Sequence, residues 1–211
     1  MLLFSKIIYM FKRIASDALG LSDIGIIVKP EDYDKVESDD FILHEEKEKI
    51  FFLIKSKADE YCFTNKALIH VDGTSAVSKK RTLKRLDYCK YPIDSVLLET
   101  AGTIDLDIEI KFIIGTHKYS IDVHKQYIRE LKYLYKSLLK IASIQDTNAQ
   151  HLKYAHNSLD IAAKSVGRSS SPQTIDQDFK KVNEYIFEWL THFHATYNTK
   201  DFSLAFETFV N

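Results

Sequence analysis

Three carboxylates at alternate positions, Asp105, Asp107 and Glu109, are spaced for joint chemistry. Residues two positions apart in a strand share a face, so these side chains would form a row with steps of about 7 Å. Such a row can supply a general acid and base or ligands for a hard cation. However, leucine and isoleucine alternate with the acids, as in a half-buried strand with one wet face. A solvated sheet face offers no pocket to perturb a pKa, so this interpretation is favoured over catalysis.

A basic cluster is the second candidate site, formed by Lys79, Lys80, Arg81, Lys84 and Arg85. It follows the turn-forming stretch DGTSAV, so several of its charges would crowd at one end of a sheet. Clustered cations at a loop can hold phosphate groups or an acidic partner. A solvated face that balances the acidic strand explains the same pattern, and both interpretations stay open.

The sequence gives little support for a metal site or for a known catalytic or nucleotide-binding motif. The two histidines of HFH at 192–194 would project about 200° apart on a helix, which is poor for shared metal ligation. His151 and His156 also have the wrong spacing for one helical face, and HEEKE at 44–48 has a single histidine. No GxSxG, GxGxxG or Walker sequence is present. We therefore expect a protein that is not an enzyme and that uses neither metal nor cofactor.

Composition excludes several other classes. The 211 residues include 29 Lys and Arg against 30 Asp and Glu, and this balance argues against a general nucleic-acid binder. Cys62 and Cys89 form either one disulfide or, as we favour for a cytosolic protein, two inert thiols. The apolar start, MLLFSKIIYMFKR, is too short for a membrane span, and its charges follow the apolar stretch instead of preceding it. We expect a cytoplasmic protein.

The pattern along the chain changes from strands to helices. Apolar spacing predicts an N-terminal helix over residues 2–18, ending near Gly20, and a short helix after Pro30. About seven strands follow between residues 50 and 123, with GTHK at 115–118 as a hairpin turn. An apolar stripe over 128–141 then predicts an amphipathic helix. Antiparallel strands followed by such a helix suggest a curled sheet whose open end the helix plugs.

The C-terminal part reads as a separate helical hairpin joined by GRSSSPQT, with a capping box at Thr174 and Gln177. A further short helix is predicted from Asp201. Large apolar residues on the second helix leave surface for a partner, although a monomer could hide it against the N-terminal helices. The candidate oligomerisation residues are Phe179, Val182, Ile186, Trp189 and Phe193.

The stretches FTNKALI (63–69) and ETAGTIDLDIEI (99–110) closely resemble the signature blocks of bacterial pleckstrin-homology (PH) domains. The resemblance covers about 20–142. The rest is similar to the helical-hairpin extension of the YvbH-like subgroup, regarded as an oligomerisation region. The resemblance implies an α+β protein with a PH-like, seven-stranded antiparallel curled sheet or barrel capped by a C-terminal helix, plus an α-helical hairpin. The domains implied are an N-terminal helical segment at 1–43, a PH-like domain at 44–142 and the oligomerisation region at 143–211.

For function, the resemblance implies a cyclic homo-oligomer whose neighbouring sheets form a hydrophilic surface for protein partners. Asp105, Asp107 and Glu109 would belong to this surface. Many eukaryotic PH domains bind phosphoinositides through spaced cations on the first hairpin, but here Lys55 and Lys57 are followed at once by acids. We therefore expect a scaffold that binds itself and an unidentified protein, and no nucleic acid. The alternative is a membrane-surface adaptor that binds anionic lipid through the 79–85 cluster.

Overall fold

The computed structural model describes residues 23–73, 81–100, 107–166 and 175–210, apart from the side chains of residues 162, 165, 166 and 175–179. The predicted N-terminal helix, Lys79, Lys80, Asp105, the start of the capping box at Thr174 and the side chain of Phe179 lie outside these residues. The described residues group into two compact units. The sheet unit comprises those of Met1–Ala142 and Asp201–Asn211, and the hairpin unit is Ser143–Lys200.

Eight antiparallel strands form two sheets in the described part of the sheet unit. They are β1 (Ile26–Ile27), β2 (Ile50–Lys55), β3 (Asp59–Thr64), β4 (Ala67–Gly73), β5 (Arg81–Asp87), β6 (Ile93–Glu99), β7 (Asp107–Ile114) and β8 (His117–His124). The first five form one sheet in chain order, and the last three form the other. The PH-like curled sheet is thus confirmed, with the two-residue β1 as an addition to the expected seven strands.

Gly25 links the two sheets at a point where no side chain fits. It makes a parallel bridge to Val123. Its N–H donates to the carbonyl of Asp122 at 2.8 Å, and its own carbonyl accepts from the N–H of His124 at 2.9 Å. A Cβ added at this position would lie 2.7 Å from Cγ2 of buried Ile54 and 3.0 Å from the Asp122 carbonyl oxygen. The close approach of the two sheets therefore requires glycine.

Replacing Gly25 with alanine should accordingly destabilise the sheet unit by about 1–3 kcal/mol, the usual cost of forcing an extra carbon into a packed site. Urea denaturation followed by circular dichroism would measure this change. The matched control is Asp23→Ala, because Asp23 lies two residues upstream with an exposed side chain. Equal stability of the Gly25 and Asp23 variants would contradict the close approach.

The first sheet is covered on its outer face by the segment before β2, which contains 3₁₀ helices at Pro30–Lys35, Glu37–Phe41 and His44–Glu46. Val36 and Ile42 of this segment pack with Leu53, Cys62 and Ile69 of the sheet. Because both faces are buried, β4 reads as a nearly continuous apolar run without alternation. Neither cysteine of the chain forms a disulfide.

The helix after β8 is longer than its apolar stripe predicts. Helix α1 spans Ile128–Val166 and continues through the boundary between the two units at residue 142. Its first part buries Leu131, Leu134 and Leu138 in the sheet unit, as expected. It contains neither glycine nor proline, so nothing in its sequence ends the helix where the core stripe stops. The second hairpin helix, α2, is Ile175–Tyr197.

The residues after the hairpin return to the sheet unit. Helix α3 (Ser203–Glu207) is short, with Phe202 as its N-cap residue, and the carboxylate of Asp201 accepts a hydrogen bond from the N–H of Ser203 at 2.8 Å. Phe202 and Phe206 are buried, and both rings contact Tyr88, with centroids 5.6 and 6.4 Å away. The N–H of Phe202 also donates to the carbonyl of Asn65 at 2.7 Å. The segment 201–210 is therefore part of the core of the sheet unit.

Candidate functional site

The acids of β7 lie on the outer face of the second sheet. Asp107 and Glu109 alternate with buried isoleucines, as the sequence pattern predicts for a half-buried strand. Glu109 stands opposite Glu99 on one neighbouring strand and opposite Asp122 on the other. Lys111 offsets part of this repulsion through ion pairs of 2.9 Å to Glu109 and 3.0 Å to Glu99. The acids thus form part of a mixed, hydrophilic surface.

The pKa values of Glu109 and Asp122 are shifted in opposite directions. Hydrogen bonds from Ser120 and from Lys111 lower the pKa of Glu109. Burial raises the pKa of Asp122, and the nearby charges of Glu109 and Asp107 add to this effect. Neither group has the enclosed setting that tunes a catalytic acid, because both side chains retain contact with solvent. Among the described residues, this face is therefore a solvated surface of mixed charge.

The basic cluster is divided between the two faces of β5, since successive residues of a strand point in opposite directions. Arg85 makes a bidentate pair with the buried Glu48, at 3.0 and 3.1 Å, and also donates to Asp87 at 2.8 Å. Arg81 donates to Glu37 at 3.1 Å. These two guanidinium groups join the segment before β2 to β5. The cluster as an anion or partner patch stays a prediction, with Lys79 and Lys80 outside the described residues.

Lys84 lies on the opposite face and lines a cavity of about 220 Å³. The cavity is lined by Tyr61, His70, Lys84, His117, Lys118, Tyr119 and Ser120. Three strands of the first sheet and the start of β8 supply these residues. Concave sites that combine aromatic and polar side chains are common places for ligands. This cavity therefore joins the acidic face as a candidate site.

Aromatic contacts fix the wall of the cavity. The rings of Tyr61 and His70, which are directly paired across β3 and β4, stack with centroids 4.4 Å apart. Tyr119 meets the His70 ring edge-on at 5.7 Å and stacks on Phe112 at 5.1 Å. Nε2 of His70 lies 3.0 Å from Oδ1 of Asp59. Burial raises the pKa of both tyrosines. These ring contacts and the contact between His70 and Asp59 therefore join β3, β4, β7 and β8 along this wall.

In the hairpin unit, the predicted oligomerisation residues Val182, Ile186, Trp189 and Phe193 lie on one side of α2 and are partly buried. Their aromatic members form a ladder, with ring centroids 4.7 Å apart for Trp189 and Phe193 and 5.5 Å for Phe193 and Tyr197. Tyr197 also contacts the ring of His151 on α1 at 4.6 Å. The hairpin itself therefore covers part of this stripe.

The large exposed apolar side chains of the hairpin are different residues. Tyr154 and Ile161 on α1 are 62% and 66% exposed, and Tyr185 and Phe187 on α2 are 59% and 71% exposed. Sequence reasoning missed all four, because their positions fall outside the most regular apolar spacing. It also missed Tyr61, His70, His117 and Tyr119. The pairing of Tyr61 with His70 depends on strand register, which a single sequence does not state.

Among the residues that the structure describes, no group of three or more His, Cys, Asp or Glu side chains is placed to hold a metal ion. Over the same ranges, no helix combines the length and apolar character that crossing a bilayer demands.

Comparison with known proteins identifies the family. Residues 18–142 match the model of the bacterial PH domain, and residues 153–211 match that of the YvbH-like oligomerisation region. The YvbH protein of Bacillus subtilis strain 168 is 53% identical over 204 residues, which cover 96% of this chain and 100% of that protein. The crystal structure of a PH-domain-containing protein from Exiguobacterium sibiricum 255-15 is also similar. It is 46% identical, the match covers 89% of this chain and 100% of that one, and the TM-score is 0.82. The chain therefore belongs to the bacterial PH domain family, in its YvbH-like form.

Proposed function

We propose that this chain is a non-enzymatic cytoplasmic scaffold, held in a cyclic homo-oligomer by its hairpin unit and presenting a hydrophilic sheet surface to protein partners. The match to an oligomerisation region supports self-association. The observation that carries the proposal is the exposure of Tyr154, Ile161, Tyr185 and Phe187 on a two-helix unit. Tyr154 and Ile161, seven residues apart, share one face of α1, whereas Tyr185 and Phe187 project about 200° apart on α2. A second copy of the hairpin packed on one face of the unit would cover part of this apolar surface.

The proposed partner surface is the outer face of β7 and β8. Asp107, Glu109 and Asp122 give this face a negative character, and Lys111 supplies a positive centre within it. Mixed charges of this kind steer a partner of complementary charge and fix its orientation. In a closed ring the face would be repeated once per subunit, so a multivalent partner would gain avidity.

The solution mass of the full chain tests assembly, measured by light scattering after gel filtration. The wild-type chain should form a closed oligomer of defined mass. The double variant Tyr154→Lys, Phe187→Lys should give a smaller species, because a buried charge in an apolar interface costs several kcal/mol. The matched control is Leu97→Lys, which changes an exposed apolar residue of the sheet unit. A monomeric wild type, or a double variant of unchanged mass, would contradict the proposal.

A further inference from the structure

The first part of α1 carries a basic stripe on the side that faces away from the sheet core. The stripe consists of four exposed side chains, Arg129, Lys132, Lys136 and Lys140. A helix turns by about 100° per residue, so these positions fall within an arc of about 80°, opposite the buried leucines of the same turns. Residues 125–142 contain five Lys and Arg against a single acid, Glu130. This face of the helix is therefore strongly positive.

Two cations of the stripe lie against aromatic rings. Nε of Arg129 donates to the Tyr133 hydroxyl at 2.9 Å, and its guanidinium group lies 5.9 Å from the centre of that ring. The ammonium group of Lys136 lies 5.9 Å from the centre of the Phe209 ring. Such contacts orient a cation without neutralising its charge. Leu139, which is 42% exposed, adds an apolar border to the stripe.

The segment before β2 carries an acidic surface of the opposite character. Residues 31–46 contain eight Asp and Glu against one Lys. The exposed acids of this surface are Glu31, Asp34, Asp40, Glu45 and Glu46. Four of the eight acids pair with cations, namely Lys29, Lys35, Lys66 and Arg81. These pairs offset half of the negative charge, so the surface stays net negative. Phe41 and Leu43 lie among the acids, each 39% exposed.

The basic stripe and the acidic surface match in charge and in apolar content. Contact between them would place Leu139 against Phe41 or Leu43, with opposite charges around this apolar centre. An apolar centre within a polar rim is the usual anatomy of a protein interface. The outer face of β7 and β8 is a poorer match for the stripe, because Lys111 and Lys118 lie among its acids. One chain therefore carries two surfaces that suit each other.

We propose that the basic stripe of one copy docks on the acidic surface of a second copy. Because two different surfaces meet, this contact is heterologous, and its repetition closes a ring when the rotation between neighbours allows it. The inference rests on the proposed self-assembly and deepens it by naming the surfaces of the sheet unit through which neighbours touch. The outer face of β7 and β8 is left to other partners.

Charge reversal of the full-length chain tests the proposal, with the solution mass measured by light scattering over a range of protein concentrations. The stripe variant is Lys132→Glu, Lys136→Glu, and the surface variant is Asp40→Lys, Glu45→Lys. Each places like charges opposite each other, so assembly should require an about tenfold higher protein concentration than in the wild type. All four changes in one chain exchange the signs of both surfaces and should restore assembly. Thermal denaturation checks that each variant is folded.

The matched control is Lys84→Glu, Lys118→Glu, which makes the same change of charge at two exposed positions elsewhere in the sheet unit. It should assemble like the wild type. Unchanged assembly of the stripe and surface variants would overturn this contact, and so would a failure of the four combined changes to restore assembly. Loss of binding to phosphatidylserine vesicles in the stripe variant, with unchanged assembly, would assign the stripe to lipid and also overturn it.

The variant Tyr154→Lys, Phe187→Lys separates this inference from the proposed role of the hairpin. Dissociation of that variant, with unchanged assembly of the stripe and surface variants, would overturn only the contact between sheet units. Dissociation of the stripe and surface variants and recovery by their combination, with an unaffected hairpin variant, would support the contact and contradict the role of the hairpin. A monomeric wild type would overturn both.

Discussion

Replacing Phe206 with alanine should lower the free energy of unfolding of the sheet unit by about 3–5 kcal/mol, the range observed when a buried aromatic side chain is removed. Phe206 is fully buried and stacks on Phe51, with ring centroids 5.1 Å apart and planes inclined by 16°. It also lies against Tyr88, which is buried. The cavity left by the ring would thus be enclosed by side chains of the sheet core.

Urea denaturation at a fixed protein concentration would measure this loss, since assembly also affects apparent stability. The matched control is Leu204→Ala, which truncates an apolar side chain of the same short helix that is 69% exposed. A loss for Phe206→Ala no larger than that of the control would contradict the packing of the segment 201–210. The same packing implies that truncation at residue 142 would damage the sheet unit, so point variants are preferable for tests of assembly.

Replacing Arg85 with alanine should destabilise the sheet unit by about 3–5 kcal/mol, because it leaves the carboxylate of Glu48 buried without its ionic partner. The side chain of Glu48 is fully buried, and that of Arg85 is 27% exposed. Glu48 also accepts hydrogen bonds from the Thr64 hydroxyl at 2.6 Å and from the N–H of Leu43 at 2.9 Å. The pair therefore holds together the segment before β2, the β3–β4 turn and β5.

Lys84→Ala is the matched control for stability, because it removes a neighbouring cation that is exposed and has no ion pair with a described acid. We expect a change within about 0.5 kcal/mol for this variant. Adding Glu48→Gln to Arg85→Ala should recover part of the loss, since a neutral amide is less costly to bury than a carboxylate. Equal losses for the Arg85 and Lys84 variants would show that the buried pair does not stabilise the fold.

Much of the fold was predictable because its signals are local. The alternation of β7 and the Gly115 turn specify a hairpin, and both are found as expected. The apolar stripe from Ile128 to Ile141 likewise predicts the capping helix. The burial of Phe202 and Phe206 was not predictable, because it pairs them with Tyr88, far away in sequence. A ten-residue segment has no periodic pattern that could reveal such a contact.

The candidate site was less predictable than the fold. The spacing of Arg81, Lys84 and Arg85 shows that they are close in the chain, but their functions depend on which face of β5 each residue occupies. Glu48 looks like one acid among several in HEEKEK, and its burial follows from tertiary packing alone. The cavity depends on the register of β3, β4 and β5 and on the position of β8, which a single bridge from Gly25 to Val123 links to the first sheet.

The position of Phe202 and Phe206 also sets the order of events during synthesis. These residues follow the hairpin in the chain, so the ribosome makes all eight described strands, α1 and α2 before the last part of the sheet core exists. Domains usually fold as units while the chain grows from its N-terminus. Until residue 206 has emerged from the ribosome, Tyr88 and Phe51 of the nascent sheet would lack their contacts with the ring of Phe206. The hairpin unit would therefore be complete on the growing chain before the sheet unit is fully folded.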